Sequence, residues 1–150
     1  MNRRRFAWRL VVLVLLGGCV ALRMTPPPLL GLDHGRLNAC PASPNCVCSQ
    51  APDSAHQIAP LTFTGSAEAA FRRIKAVVAD QPRARIVGES AGYLRAEFRS
   101  RIFRFIDDVE FVVDEPNHLI HVRSASRVGY SDLGVNRRRV ETLRAAFAGA

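Results

Sequence analysis

The chain lacks any apolar run long enough to cross a membrane as a helix. Leu10 to Leu16 falls far short of the roughly 20 residues needed to span about 30 Å of hydrocarbon. It also lacks a nucleophile elbow, a phosphate-binding loop and a zinc-hydrolase motif, the signatures that would mark it as a familiar hydrolase or nucleotide-binding enzyme. No nucleic-acid module and no interleaving of basic with aromatic residues accompanies the formal charge of +8, so nucleic acid is not an expected partner. Cysteine is sparse, four in 150 residues, and the length suits one domain with one core and no second.

What is present begins with an address. A basic start at Arg3, Arg4 and Arg5 precedes the short apolar run, which ends in Leu16-Gly17-Gly18-Cys19, an export signal closing on small residues before a cysteine. This pattern resembles bacterial lipoprotein signals. The resemblance implies that residues 1–18 are removed and that Cys19 becomes the first residue, carrying a diacylglyceryl thioether and an acylated amine. Several acyl chains anchor far more firmly than one. The expected location is the cell envelope, on a bacterial membrane and facing the periplasm or exterior. An ordinary cleaved secretory peptide with Cys19 merely nearby is the alternative. Loss of Arg3, Arg4, Arg5 and Arg9 with the leader lowers the formal charge to about +4, a modest balance that suits a protein working beside anionic lipid or polysaccharide. Residues 19–36 contain Thr25-Pro26-Pro27-Pro28, and consecutive prolines favour an extended tether of about 3.1 Å per residue. The domain proper is expected over 37–150.

With Cys19 lipidated, Cys40, Cys46 and Cys48 remain. An oxidising compartment favours one disulfide. Cys40 to Cys46 is the least strained choice, because Cys46 and Cys48 are only two residues apart. Cys48 is then the spare thiol. Three thiolates joined by His34 or His56 would be a soft-metal alternative, but the spacing matches no common zinc site. Neither a metal nor a cofactor is expected. Pro41, Pro44 and Asn45 give the bridged stretch the character of a rigid cap.

Beyond the cap, Ala67, Ala70, Phe71, Ile74, Val77 and Val78 recur at helical spacing after Ser66, a good N-cap. Four strands follow by alternation: Arg85 to Val87, Leu94 to Phe98, Phe103 to Val113, and Ile120 to Val122. A last helix buries Val140, Leu143 and Phe147. The expected plan is α+β, a roughly four-stranded antiparallel sheet with both helices on one face and a disulfide-bridged cap before it.

Charge interrupts this pattern. Asp107 shares a face with Phe105 and Val109, so a buried carboxylate there requires a partner, expected to be Arg123, Arg127 or Arg138. Asp108 and Glu110 point the other way, about 7 Å apart along the strand, a separation compatible with an inverting glycosidase and with His121 on the same face. Alternating charges on a solvated sheet face, neutralised by Arg95, Arg99 and Arg123, are the plainer reading. The stretch from Arg123 to Asn136, rich in Ser124, Ser126, Arg127 and Asp132 and followed by Arg137, Arg138 and Arg139, has the chemistry to hold an anion. If Asn136 caps the last helix, three arginines crowd its first turn against the dipole. A start at Ser131 or Asp132 places them mid-helix instead.

PNCVCSQ, FRFIDDVEF and RSASRVGYSDLGVNRRR, in that order, resemble the bacterial and plant family called domain of unknown function 1499, over Leu37 to Phe147. The resemblance brings no activity and no catalytic residue with it. Where the family motif reads Ser this chain has Cys48, which favours Cys48 as the unpaired thiol. The leading expectation is a lipid-anchored binding or scaffolding domain, recognising an anionic envelope component or a protein partner through Asp107, Arg123, Ser124, Ser126, Arg127, Asp132, Asn136 and Arg138. A hydrolase built on Asp108, Glu110 and His121, and a purely structural ion-pair network, are the alternatives.

Overall fold

Helical and strand periodicity carry most of the architecture. The computed structural model describes residues 29–150, so the leader, Cys19 and the proline run lie outside the described residues. Among the described residues no helix is long and apolar enough to cross a membrane. The elements in chain order are β1 (Leu32–Asp33), β2 (Arg36–Leu37), β3 (Cys46–Cys48), β4 (Leu61–Thr62), α1 (Ala67–Ala79), β5 (Ala84–Ser90), β6 (Tyr93–Arg99), β7 (Ile106–Asp114), β8 (Leu119–Ser126) and α2 (Val135–Ala148).

As expected, Ser66 caps α1, its hydroxyl accepting the Ala69 amide at 3.2 Å. Ala70, Ile74, Val77 and Val78 of α1 and Val140, Leu143 and Phe147 of α2 are buried. They pack on one sheet face against Leu94, Ala96 and Phe98 of β6, Val109 and Phe111 of β7, and Ile120 and Val122 of β8. Arg73 of α1 lies over the Phe147 ring at 3.9 Å, a cation–π contact joining the helices.

The sheet has six strands, not four. β5, β6, β7 and β8 are antiparallel neighbours, and β3 and β4 pair end to end along the far edge of β8. Val47 pairs with Ser124, and Leu61 with Ile120. Strands of two or three residues are too short to show alternation, so neither left a periodic trace in the sequence. A second correction concerns β7, which begins at Ile106 and not Phe103. The β6–β7 loop is closed by the Ser100 amide donating to the Phe105 carbonyl and the Phe105 amide donating to Ser100 Oγ, both at 2.9 Å. Phe103 is therefore exposed and stacks on Phe105 at 5.5 Å, an arrangement that mimics strand alternation.

The opposite sheet face carries a third layer. The β1–β2 hairpin, whose turn residues His34 and Gly35 both hold positive φ, lies over it. Leu37, Cys48 and Ala51 form a small core with Tyr93 and Val112. The Cys40–Cys46 disulfide is present, and Cys48 is free and buried. Two of the three sulfurs that a soft-metal site required are thus joined to each other.

Candidate functional site

Strand alternation sends Asp108 and Glu110 of β7 beneath this cap, together with Arg123 of β8 and Arg127 just beyond it. The face is not solvated, since Asp108 and Glu110 are fully buried and Arg123 nearly so. Arg127 clasps Asp108 with two bonds, Nε to Oδ2 at 2.7 Å and Nη2 to Oδ1 at 2.8 Å, and also reaches Glu97. These bonds hold the guanidinium above its ordinary pKa. Arg123 Nη1 donates to Glu110 Oε2 at 3.0 Å. Glu110 Oε1 accepts the Tyr93 hydroxyl and the Gly31 amide, each at 2.7 Å. Burial, and then the Glu110 carboxylate beside it, pushes the Tyr93 phenol up. His121 sits across from Val112, bonded to Ser49 Oγ at 3.2 Å and facing Asp114 at 3.4 Å. The hydrolase residues are thus committed to separate partners and do not converge on one cleft.

On the helix face Asp107 has a partner that none of the expected three supplies. Arg123 and Arg127 occupy odd positions along β8 and its extension, which face the cap. Arg138 donates outward to the Leu133 carbonyl at 2.9 Å. Arg139 of α2 makes the pair, Nη2 donating to Asp107 Oδ2, while its Nη1 donates to Asn136 Oδ1 and to Ser124 Oγ at 3.1 Å. Buried Asn136 donates to the Asn45 carbonyl and to Ser126 Oγ, both at 3.0 Å, and accepts from Ser124 Oγ at 2.6 Å. Asn45 in turn donates to the Gly129 carbonyl at 2.6 Å. The three motifs of the sequence meet here. Asn45 belongs to the first, Asp107 to the second, and Ser124, Ser126, Asn136 and Arg139 to the third. The sequence held a signal for Arg139, because Asn136, Arg139, Val140, Leu143 and Phe147 share one helical stripe.

Neither expected start of α2 is the observed one. The N-cap is Gly134, with φ 76° and no side chain to offer, so Asp132 caps from outside, its carboxylate accepting the Asn136 amide at 2.7 Å and the Gly134 amide at 2.9 Å. Burial raises the Asp132 pKa, but the two amides outweigh it and leave the carboxyl below its ordinary value. Arg137, Arg138 and Arg139 therefore do sit at the start of the helix; Asp107 pairs with Arg139, while Arg137 and Arg138 donate to the Ala55 and Leu133 carbonyls.

The loops 100–105 and 127–135 frame a pocket of about 270 Å³ at this end of the sheet, lined by Asp107, Ser126, Ser131 and Asp132 among apolar Phe105, Val128 and Val135. The same two loops carry exposed apolar side chains, Ile102 79% exposed and Phe103 72% exposed on one, and Tyr130 77% and Leu133 84% on the other. Beside the pocket lies a hollow of about 430 Å³ lined by Arg83, Arg85, Arg99, Arg101 and Arg104. A larger hollow of about 540 Å³, between α1 and the β5–β6 turn, lies at the other end of the strands and contains none of the motif residues. Among the described residues no group of three histidine, cysteine or carboxylate side chains is placed to hold a metal.

No curated protein and no solved structure matches the chain. The model of a protein family of unknown function, DUF1499, matches residues 36–147, and the chain belongs to that family.

Proposed function

We propose that the protein is a non-enzymatic binding or scaffolding domain of the bacterial cell envelope, held to a membrane by lipid on Cys19, and that it recognises an anionic envelope component at the end of the sheet framed by loops 100–105 and 127–135. The observation that carries this reading is how its arginines divide. Arg123, Arg127 and Arg139 are consumed inside the fold by Glu110, Asp108, Glu97 and Asp107. Arg36, Arg83, Arg85, Arg101, Arg104, Arg137 and Arg138 are exposed and, among the described residues, form no ion pair, and four of them, Arg83, Arg85, Arg101 and Arg104, gather with Arg99 in one hollow that contains no carboxylate. Charges sealed in the interior serve the architecture; cations gathered in one hollow serve a partner.

The burial of both candidate acids favours binding over hydrolysis, since Asp108 and Glu110 face neither solvent nor a cleft. Titrating the full chain in mild detergent with inorganic polyphosphate, followed by calorimetry, tests the reading. Arg101→Ser combined with Arg104→Ser is expected to weaken binding about 25-fold at low salt, roughly fivefold per arginine. Arg137→Ser, exposed on α2, is expected to leave it within about twofold. Absence of binding, or equal loss in both variants, overturns the proposal.

A further inference from the structure

We infer that this end of the sheet is a membrane-docking face, with the arginine cluster taking lipid phosphates and Ile102 and Phe103 entering the acyl boundary of an anionic bilayer. The inference rests on the anion-binding reading above and names what supplies the anion.

Exposed apolar bulk is concentrated here. Of the seven large hydrophobic side chains exposed among the described residues, Ile102, Phe103, Tyr130 and Leu133 belong to the two loops that share the 270 Å³ pocket, and Val135 opens the helix that follows the second. Clustered exposure of this kind marks an interaction surface. Cations border it closely, for the adjoining hollow is lined by five arginines with Ala84 and Ser100, and no carboxylate. Of the acids around it, Glu97 is already held by Arg127 and approached by Arg99 at 3.8 Å, and Asp107 is held by Arg139.

The order Arg101-Ile102-Phe103-Arg104 puts the apolar pair at the loop tip and a cation on each side. Long guanidinium stems let the charges stay at headgroup level while the tip goes deeper. The backbone is shaped for this presentation. Arg83 and Arg104 both hold the left-handed region, φ 63° and 53°, which side chains other than glycine rarely adopt. A small soluble anion would use the cations and leave the apolar tip in water. A bilayer surface supplies phosphate and hydrocarbon within about 5–10 Å of each other, so it satisfies both.

Insertion is read locally, so anchoring elsewhere in the chain does not confuse it. Trp8, the sole tryptophan, lies in the leader that the lipid-anchored protein has lost. Phe103→Trp therefore places a single reporter at the loop tip, and Ala91→Trp places one at the opposite end of the strands. Each lipid-anchored variant is reconstituted into vesicles of phosphatidylcholine, with or without phosphatidylglycerol, containing brominated acyl chains as quencher. Fluorescence of the loop-tip reporter is expected to be quenched and blue-shifted only with the anionic lipid, and that of the distal reporter to be quenched little. Adding Arg101→Ser and Arg104→Ser should reduce quenching at the loop tip about fivefold or more, with circular dichroism unchanged. Equal quenching of the two reporters, or none at the loop tip, overturns docking. If the loop-tip emission shifts with protein concentration in the absence of vesicles, the face pairs with a second copy and docking is likewise overturned. Polyphosphate binding without quenching at the loop tip overturns docking but keeps the anion reading, whereas failure of both assays removes both.

Discussion

Arg127 and Asp108 make the strongest residue-scale commitment in the molecule, because both side chains are almost wholly buried and joined by two bonds. Such a pair contributes little net stability relative to a well-packed apolar replacement, yet losing one member leaves an uncompensated interior charge. Asp108→Asn is therefore expected to lower unfolding free energy by about 3–5 kcal/mol, measured by urea denaturation. Arg101→Ala, at an exposed position, should stay within about 0.5 kcal/mol. Similar midpoints for the two would contradict the division of arginines into architectural and available sets. Glu110→Gln belongs with the first group, since Glu110 anchors Arg123, Tyr93 and the Gly31 amide together. That Asp107 requires a partner was legible, because alternation placed it among apolar residues, and Arg123 was legible as a neutraliser of the acids on the other face, where it meets Glu110. That Asp108 and Glu110 are buried, and that Arg139 and Gly31 are the remaining partners, was not. Arg139 lies 32 residues from Asp107, and Gly31 lies 79 from Glu110, separations over which a linear pattern carries no geometry.

At the scale of elements, the start of α2 depends on a carboxylate two residues before its N-cap. Asp132→Ala should cost about 1 kcal/mol, the usual worth of a helix cap. Asp132 also carries a pH signature. Its folded pKa lies below the roughly 3.9 of an unfolded aspartate, so the folded state holds the carboxylate more tightly deprotonated. Its stabilising contribution is fully present above about pH 4 and is lost as pH falls through the lower folded value. Thermal melts of wild type and Asp132→Asn between about pH 6 and pH 3 should therefore converge at the acid end; a constant gap would remove Asp132 from the acid response. The elements themselves were readable in proportion to their length. Thirteen residues of α1 and fourteen of α2 display their stripes, and β6 alternates cleanly, whereas β3 and β4, with three and two residues, form only because β8 offers them a free edge. The loop just before Ile106 shows the converse error, in which Phe103 and Phe105 stack on each other and so reproduce the spacing of a strand.

Across the whole molecule, the layer that the sequence least revealed is the cap that converts an expected solvated sheet face into an interior one. Its own apolar content is small, chiefly Leu37, Cys48 and Ala51, so its hold depends on polar seams and on the crosslink. Ser49 bonds to the Val122 backbone in both directions, its amide donating at 2.8 Å and its hydroxyl accepting at 2.9 Å. Gln50 accepts the Leu37 amide at 2.9 Å. The Cys40–Cys46 bridge closes a short loop beside these seams, and by chain entropy alone a crosslink of that span is worth about 2 kcal/mol. Cys48 reports on the cap, since it is buried against Leu37 and Ala51, and burial raises its thiol pKa, so it is protected from alkylation until the cap lifts. If the bridge clamps the cap, replacing both Cys40 and Cys46 with Ser should speed iodoacetamide labelling of the Cys48 peptide by roughly 30-fold under native conditions, the kinetic equivalent of about 2 kcal/mol in opening. Peptide-level mass spectrometry follows the Cys48 thiol alone. A rate unchanged by the double substitution would assign the cap's hold to the Ser49 and Gln50 seams and to the buried Glu110 contact, leaving the bridge to shape only its own loop.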